Sequence, residues 1–350
     1  NMRKVFLLLS LFVCMLLHAE EKDVTPETLS QAVAEANDGD VLLLSSGKYA
    51  DKIEFPVGKT ITLKAATDAE VEIVGSVSSS EETSTGGGLV FDGVTINTSN
   101  NYFMDLKYGD IKEITFKNSE IKNVYRCLIR TNNAGKNIDA INFENCLVHD
   151  CGKNGWNFLY PSHTVKSVKV ENSTLYNYAN GEGFFTPRNA YNGEFSFTFN
   201  HNTVYNWSKA AKYAICNVDA KKTGNATYTF NNNIFYNGGT DGDRPQILKA
   251  TGGVLVANKN LIINYGSYSQ KSAVSQAIDD VTLEQFGMNA LNFPNPDNGN
   301  FYITSASPLA TAATDGGVIG DTRWLKTITD IVHLDVVASP AEAGSVTPSS

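Results

Sequence analysis

One short phrase recurs seven times along the chain, and an internal repeat constrains a fold more tightly than composition does. It reads Phe91-Asp-Gly-Val-Thr-Ile96-Asn97, then Phe116-Lys-Asn118-Ser-Glu-Ile121-Lys-Asn123 and Phe143-Glu-Asn145-Cys-Leu-Val148-His-Asp150. Val170-Glu-Asn172, Phe199-Asn-His-Asn202 and Phe230-Asn-Asn232 open the next three copies, and Ala257-Asn-Lys-Asn260 opens a weaker one. Successive starts are 25, 27, 27, 29, 31 and 27 residues apart. Each copy places an apolar strand residue, an Asn-rich corner and a second apolar strand position in that order. A drifting period with a constant phrase is what loops of different length produce when they leave one corner of a regular coil.

Such coils cannot bury an apolar side alone, but they can stack, with neighbours about 4.8 Å apart at the ordinary strand spacing. The pattern therefore predicts an all-β chain folded as a right-handed parallel β-helix, a solenoid with a short N-terminal capping helix. Of 36 asparagines, 29 fall between Asn97 and Asn264. Asparagine tolerates the left-handed backbone of a tight corner, and its amide can bond to the coil above and below, so the surplus is read as structural. Leucine-rich repeats have shorter periods, and propeller blades need longer ones with four strands. Neither fits.

The flanks are read by the same logic. Residues 1–19 open with Arg3 and Lys4, continue as an apolar run from Val5 to Leu17 and end at Ala19, the pattern of a signal peptide for export. The run is too short to span a bilayer, so no membrane span is expected in the mature chain, and the protein is expected to be secreted, periplasmic or held at the cell surface. Residues 26–37 read as the amphipathic cap, 39–265 as coils, 267–300 as an excursion with a short helix near Leu283, and 301–325 as a closing coil. Residues 326–350 read as a linker and the start of a small β-rich repeat module. Cys127, Cys146, Cys151 and Cys216 permit three disulfide pairings, but their spacing suits small apolar core residues better. A net charge of −9, with 28 basic against 37 acidic residues, leaves no surplus to neutralise phosphates, so nucleic acid is excluded as a partner. A monomer is expected.

The Gly39-Asp40…Gly47-Lys-Tyr49 opening, the Asn-cornered coils and the Gly320-Asp-Thr-Arg-Trp324 ending resemble the secreted pectate-lyase-like β-helix superfamily over about residues 26–325. The closest resemblance is to functionally uncharacterised members that Gram-negative polysaccharide degraders export. The resemblance implies a groove for extended polysaccharide along the strand that follows the Asn corner. Side-chain alternation then places Arg130, Tyr160, Thr186, Cys216 and Lys249 in one outer file, with Arg188, Asn217, Asp219 and Arg244 at its edge and Asp105 one coil earlier.

A rail of basic groups suits a repeating acidic glycan. Arg130, Arg188 and Lys249 are the candidates for lyase chemistry, in which a base removes the proton beside a uronic carboxylate and cations stabilise the enolate-like transition state. Tyr160, Thr186, Asn217 and Trp156 are the candidates for sugar contacts. No cofactor is required by this reading, and Ca²⁺ is the one ion it admits, through Asp105 or Asp219. Two function classes stay open: a glycan-binding module without cleavage, and an active polysaccharide lyase acting by β-elimination.

Overall fold

The computed structural model describes residues 19–79, 86–190, 193–219, 225–240, 242–270 and 274–327. The expected signal peptide before Ala19, and the linker and repeat module from Ile328 onward, lie outside the described residues. The rest is a parallel β-helix whose typical turn contributes one strand to each of three faces, here called the first, second and third sheets. One turn shows the plan: Ile111–Lys117 lies in the first sheet, Glu120–Lys122 in the second and Cys127–Thr131 in the third. All inter-turn pairing is parallel, and Phe116 pairs with Phe91 on one side and Phe143 on the other.

The repeated phrase is the corner between the first two sheets. Asn118, Asn145 and Asn172 sit there with φ of 51°, 57° and 47°, the left-handed backbone that asparagine accepts at low cost. The corner after the second sheet repeats the device at Asn123, Asp150 and Asn177. The amides bond along the stack: Asn145 Nδ2 donates to Asn118 Oδ1 at 2.9 Å and Asn172 Nδ2 to Asn145 Oδ1 at 3.1 Å. A second ladder runs inside the wall, where buried Asn202, Asn233 and Asn260 bond to one another and to the carbonyls of Val170, Phe199 and Phe230.

The interior is a column of rings. Phe91, Phe116 and Phe143 stack with centroids 5.2 and 5.0 Å apart, and Tyr178 lies on Trp207 at 4.4 Å. All four described cysteines are buried, unpaired thiols, as their spacing suggested, and burial raises their pKa values. The cap helix is shorter than read, Leu29–Glu35, and the coil begins earlier, with Glu21–Val24 pairing onto Val41–Leu44. Asp40 anchors this end from a fully buried position, accepting from Lys22 Nζ at 2.5 Å and from the backbone N–H groups of Glu20 and Asn37. Burial alone pushes its carboxyl up, yet these donors outweigh it and hold the pKa at about 2.

The other end departs from the sequence reading in two ways. Within the supposed excursion, Tyr268–Gln270 and Val274–Val281 continue the third and first sheets. Residues 301–325 do not close the solenoid as a last coil. They run back along the outside of the second sheet as a strap. Gly320 N–H donates to the Asn232 carbonyl, Thr322 N–H to Asn172 Oδ1 and Arg323 Nη2 to the Cys146 carbonyl, so the strap crosses successive turns. Buried Asp321 accepts from Thr174 Oγ1 at 2.7 Å, and Trp324 Nε1 donates to the same hydroxyl at 2.7 Å. Beneath it lie Tyr176, Tyr205, Ile234 and Leu261, outward residues of the second sheet that would otherwise face water.

Candidate functional site

The third sheet carries the outer file expected from the repeat, with one correction. Pairing aligns Asp105 with Arg130, Arg130 with Tyr160, and Asn217 with Lys249. Phe185 bridges Leu159 and Cys216, which places Thr186 between Tyr160 and Asn217. Cys216 is buried and pairs with Leu248, so Asn217 belongs to the file and Cys216 to the core. Four inter-strand steps separate Arg130 from Lys249, about 19 Å at the usual spacing.

Arginines and aromatic rings interlock at the start of this file. Asp105 takes Arg130 in a fork, Nε to Oδ1 at 3.0 Å and Nη2 to Oδ2, and the guanidinium lies 3.7 Å from the Tyr102 ring centroid. That pairing raises the Arg130 pKa and fixes the plane of its charge. Arg126 lies 3.5 Å over Trp156 and donates from Nη1 to Tyr102 Oη at 2.8 Å. Trp156 meets Tyr160 edge-on at 5.6 Å. Arg188 reaches back from beyond Thr186 to Asn132 Oδ1 at 2.7 Å, with its guanidinium 5.5 Å from the Tyr160 ring. Thus Arg130, Tyr160, Arg188 and Trp156 are brought together.

Farther along, the Thr186 hydroxyl donates to Asn157 Oδ1, and Asn157 Nδ2 donates to Glu182 at 2.9 Å. Glu182 also accepts from Tyr213 Oη at 3.0 Å and lies 3.9 Å from Lys209 Nζ. Lys249 Nζ donates to the Lys212 carbonyl. Of the cations along this face, Arg130 is paired with Asp105 and Lys209 lies near Glu182, while Arg126, Arg188 and Lys249 bond to neutral oxygens of Tyr102, Asn132 and Lys212. Sequence reasoning missed Tyr102, Arg126, Asn132, Asn157, Glu182 and Tyr213. Tyr102 could have been found from register, since it pairs with Cys127.

The two carboxylates named for Ca²⁺ stand apart. Asp105 is engaged by Arg130 and Asn132, and Asp219 accepts from Thr251 Oγ1 at 2.8 Å. Four strand steps, about 19 Å, lie between their turns. Among the described residues no three His, Cys, Asp or Glu side chains converge as a metal site.

A separate charged cluster sits on the second sheet where the strap stops. His149 Nδ1 lies 2.7 Å from Asp150 Oδ2, and its Nε2 lies 2.9 Å from Glu120 Oε1. Its ring stacks on Tyr176 at 4.8 Å, and Tyr176 meets Phe301 of the strap. Burial lowers the His149 pKa, but the two carboxylates outweigh it and the net shift is upward. The His149 hydrogen bond, with help from Lys122, holds Glu120 at about 2 against its own burial. A raised imidazole contributes stability that is complete below its ordinary value of about 6.5 and is lost as pH rises through the folded value. A depressed Glu120 contributes stability that is complete above 4.5 and fades as pH falls toward 2. The cluster should therefore hold best between about pH 4.5 and 6.5. Thermal unfolding should show stability falling from pH 6 to 8.5 in the parent, with that slope flattened in His149→Gln; equal slopes would contradict the assignment.

A family model described as a domain of unknown function, DUF5123, matches residues 197–324, the later turns together with the strap. No curated protein matches the sequence. Among solved structures, the PL6 family alginate lyase AlyGC is similar over 76% of this chain and 40% of its own, with a TM-score of 0.53 and 17% identity. An arginine-to-alanine variant of that enzyme matches over the same shares, with a TM-score of 0.52 and 17% identity. The chain spans only 40% of the length of these neighbours, and at 17% identity the likeness is one of fold.

Proposed function

We propose that the protein is an exported carbohydrate-binding β-helix that holds an extended, uronate-containing polysaccharide along its third sheet without cleaving it. One observation carries this reading: Arg126 and Arg130 are each preset against an aromatic ring, at 3.5 and 3.7 Å, on one outward face. Sugar rings offer apolar faces to aromatic side chains, and carboxylates pair with fixed guanidinium groups at little further ordering cost. Turns repeating about every 4.8 Å suit a linear polymer whose charges also recur regularly. In a chain of net charge −9 such a row supplies the local positive potential that an acidic glycan needs.

The lyase reading draws on the fold likeness to an alginate lyase. In it, Arg130, Arg188 and Lys249 would neutralise the uronate and assist proton removal. The contacts favour binding. Arg130 is committed to Asp105, and Glu182 is occupied by Asn157 and Tyr213. Export rests on residues 2–19 of the sequence; among the described residues no helix is long and apolar enough to cross a membrane.

Incubation with pectate, alginate and glycosaminoglycans, with and without Ca²⁺, separates the readings. Retention on an immobilised acidic glycan, without the ultraviolet absorbance of unsaturated uronate products, is the expected result. Product in any mixture would establish the lyase, and neither retention nor product would overturn both readings.

A further inference from the structure

The corner after the second sheet bears another polar groove, on a different surface from the arginine–aromatic row. It is a cavity of about 370 Å³ whose lining includes Lys48, Asn97, Asn100, Asn123, Tyr125 and Lys153. These residues come from successive turns, and four strand steps from the turn of Lys48 to that of Lys153 make the groove about 19 Å long. Tyr125 is 40% exposed, in a protein whose other tyrosines are mostly packed inside or under the strap. It is adjacent in sequence to Arg126, yet the two serve different surfaces: Arg126 lies over Trp156, while Tyr125 lines this groove.

The lining contains no carboxylate among the described residues. Glu72 stands at the rim, 3.3 Å from Lys48 Nζ, and accepts from Asn97 Nδ2 at 2.5 Å. Asn123 Nδ2 in turn donates to Asn97 Oδ1 at 2.8 Å, so the corner ladder fixes two of the amides before any ligand arrives. Lys153 enters no ion pair among the described residues.

We infer that this groove is a second, independent site for an anionic sugar chain. The chemistry is complementary in each part. The exposed phenol ring offers a flat apolar surface to a pyranose face. The asparagine amides both donate and accept, as sugar hydroxyls do. Lys48 and Lys153 attract a carboxylate or a sulfate at either end, as point charges that do not demand one planar geometry. A length of about 19 Å holds three to four sugar units on the strand spacing that sets it. The site is separate from the third-sheet row, so one chain could hold two glycan strands, or two segments of one.

Calorimetric titration with an oligo-uronate hexamer and a sulfated hexamer tests this in the full chain. The parent is expected to bind two equivalents of at least one of them. Tyr125→Ala with Lys153→Ala is expected to bind one equivalent, with melting unchanged. Trp156→Ala with Arg188→Ala is also expected to bind one, and the combination of all four substitutions none. Unaltered stoichiometry in the Tyr125/Lys153 variant overturns the inference and leaves the third-sheet reading intact. Loss of all binding in that variant, with none lost in the Trp156/Arg188 variant, supports this groove and overturns the third-sheet reading. No binding of either hexamer by the parent overturns both.

Discussion

Phe301→Ala is expected to destabilise the protein by about 4 kcal/mol, the usual size for emptying a fully buried aromatic site. Phe301 is fully buried and meets Tyr176, Tyr205, Phe293 and Trp324 with ring centroids 5.4, 5.8, 5.1 and 5.5 Å apart. It is the point at which the strap, the excursion and the second sheet share one set of contacts. The loss should exceed that of a single side chain elsewhere on the strap, because the cavity would loosen the cover over outward apolar residues. Urea unfolding gives the number, and binding of a hydrophobic dye gives the exposure. A cost below about 1 kcal/mol would show that the strap is not held by this cluster.

Asn233→Ala should be nearly as damaging, at about 4 kcal/mol, although it removes only an amide. The side chain is fully buried. Its Nδ2 donates to the Phe199 carbonyl at 2.8 Å and to Asn260 Oδ1 at 2.7 Å, while its Oδ1 accepts from the Asn202 backbone N–H at 2.8 Å. Substitution takes the side-chain partner from the Asn202 N–H and the Phe199 carbonyl where water does not reach, and leaves Asn260 Oδ1 only the backbone N–H of residue 233 at 3.1 Å; each orphaned group costs about 1–3 kcal/mol. Asn145→Ala on the exposed ladder should cost only about 1–2 kcal/mol, mostly from placing alanine in a left-handed backbone. Parallel urea curves check the pair. Equal losses would mean that the inner ladder is not the one that bonds the turns together.

These ladders were legible because their cause is local. A corner that needs φ near +55° and a partner on the next turn selects asparagine again and again, so Asn118, Asn145 and Asn172 announce the coil. The strap was not legible, because nothing in Gly320-Asp-Thr-Arg-Trp324 says where it docks. A signal existed elsewhere. One outward file of the second sheet runs Lys48, Glu72, Thr95, Glu120, Leu147, Thr174, Thr203, Ile234 and Leu261, and the file beside it turns from Asn97, Lys122 and His149 to Tyr176, Tyr205, Tyr236 and Ile263; outward strand files that turn apolar and aromatic call for a cover.

The candidate face was half legible for a related reason. Repeat register placed Arg130, Tyr160, Thr186 and Lys249 together. Alternation failed at Ile215-Cys216-Asn217, where Ile215 and Cys216 are both buried and the preceding turn joins the sheet only through the two bridges of Phe185, to Leu159 and Cys216. Two adjacent apolar residues leave strand parity undecided. Arg126 and Trp156 precede or lie between strands, so no periodicity marks them, and only the folded chain brings them within 3.5 Å.

We propose that the row of Arg126, Trp156, Arg130, Tyr160 and Arg188 is a preformed binding face for an acidic polysaccharide. Its most direct test is calorimetric affinity for an oligo-uronate, measured on Trp156→Ala and Arg188→Ala beside the parent, with melting followed in each. Each substitution should weaken binding at that face by about tenfold or more, the scale of one lost cation–aromatic or charge-assisted contact in a desolvated site, and leave melting nearly unchanged. Parent affinity and stoichiometry in both variants would contradict the account.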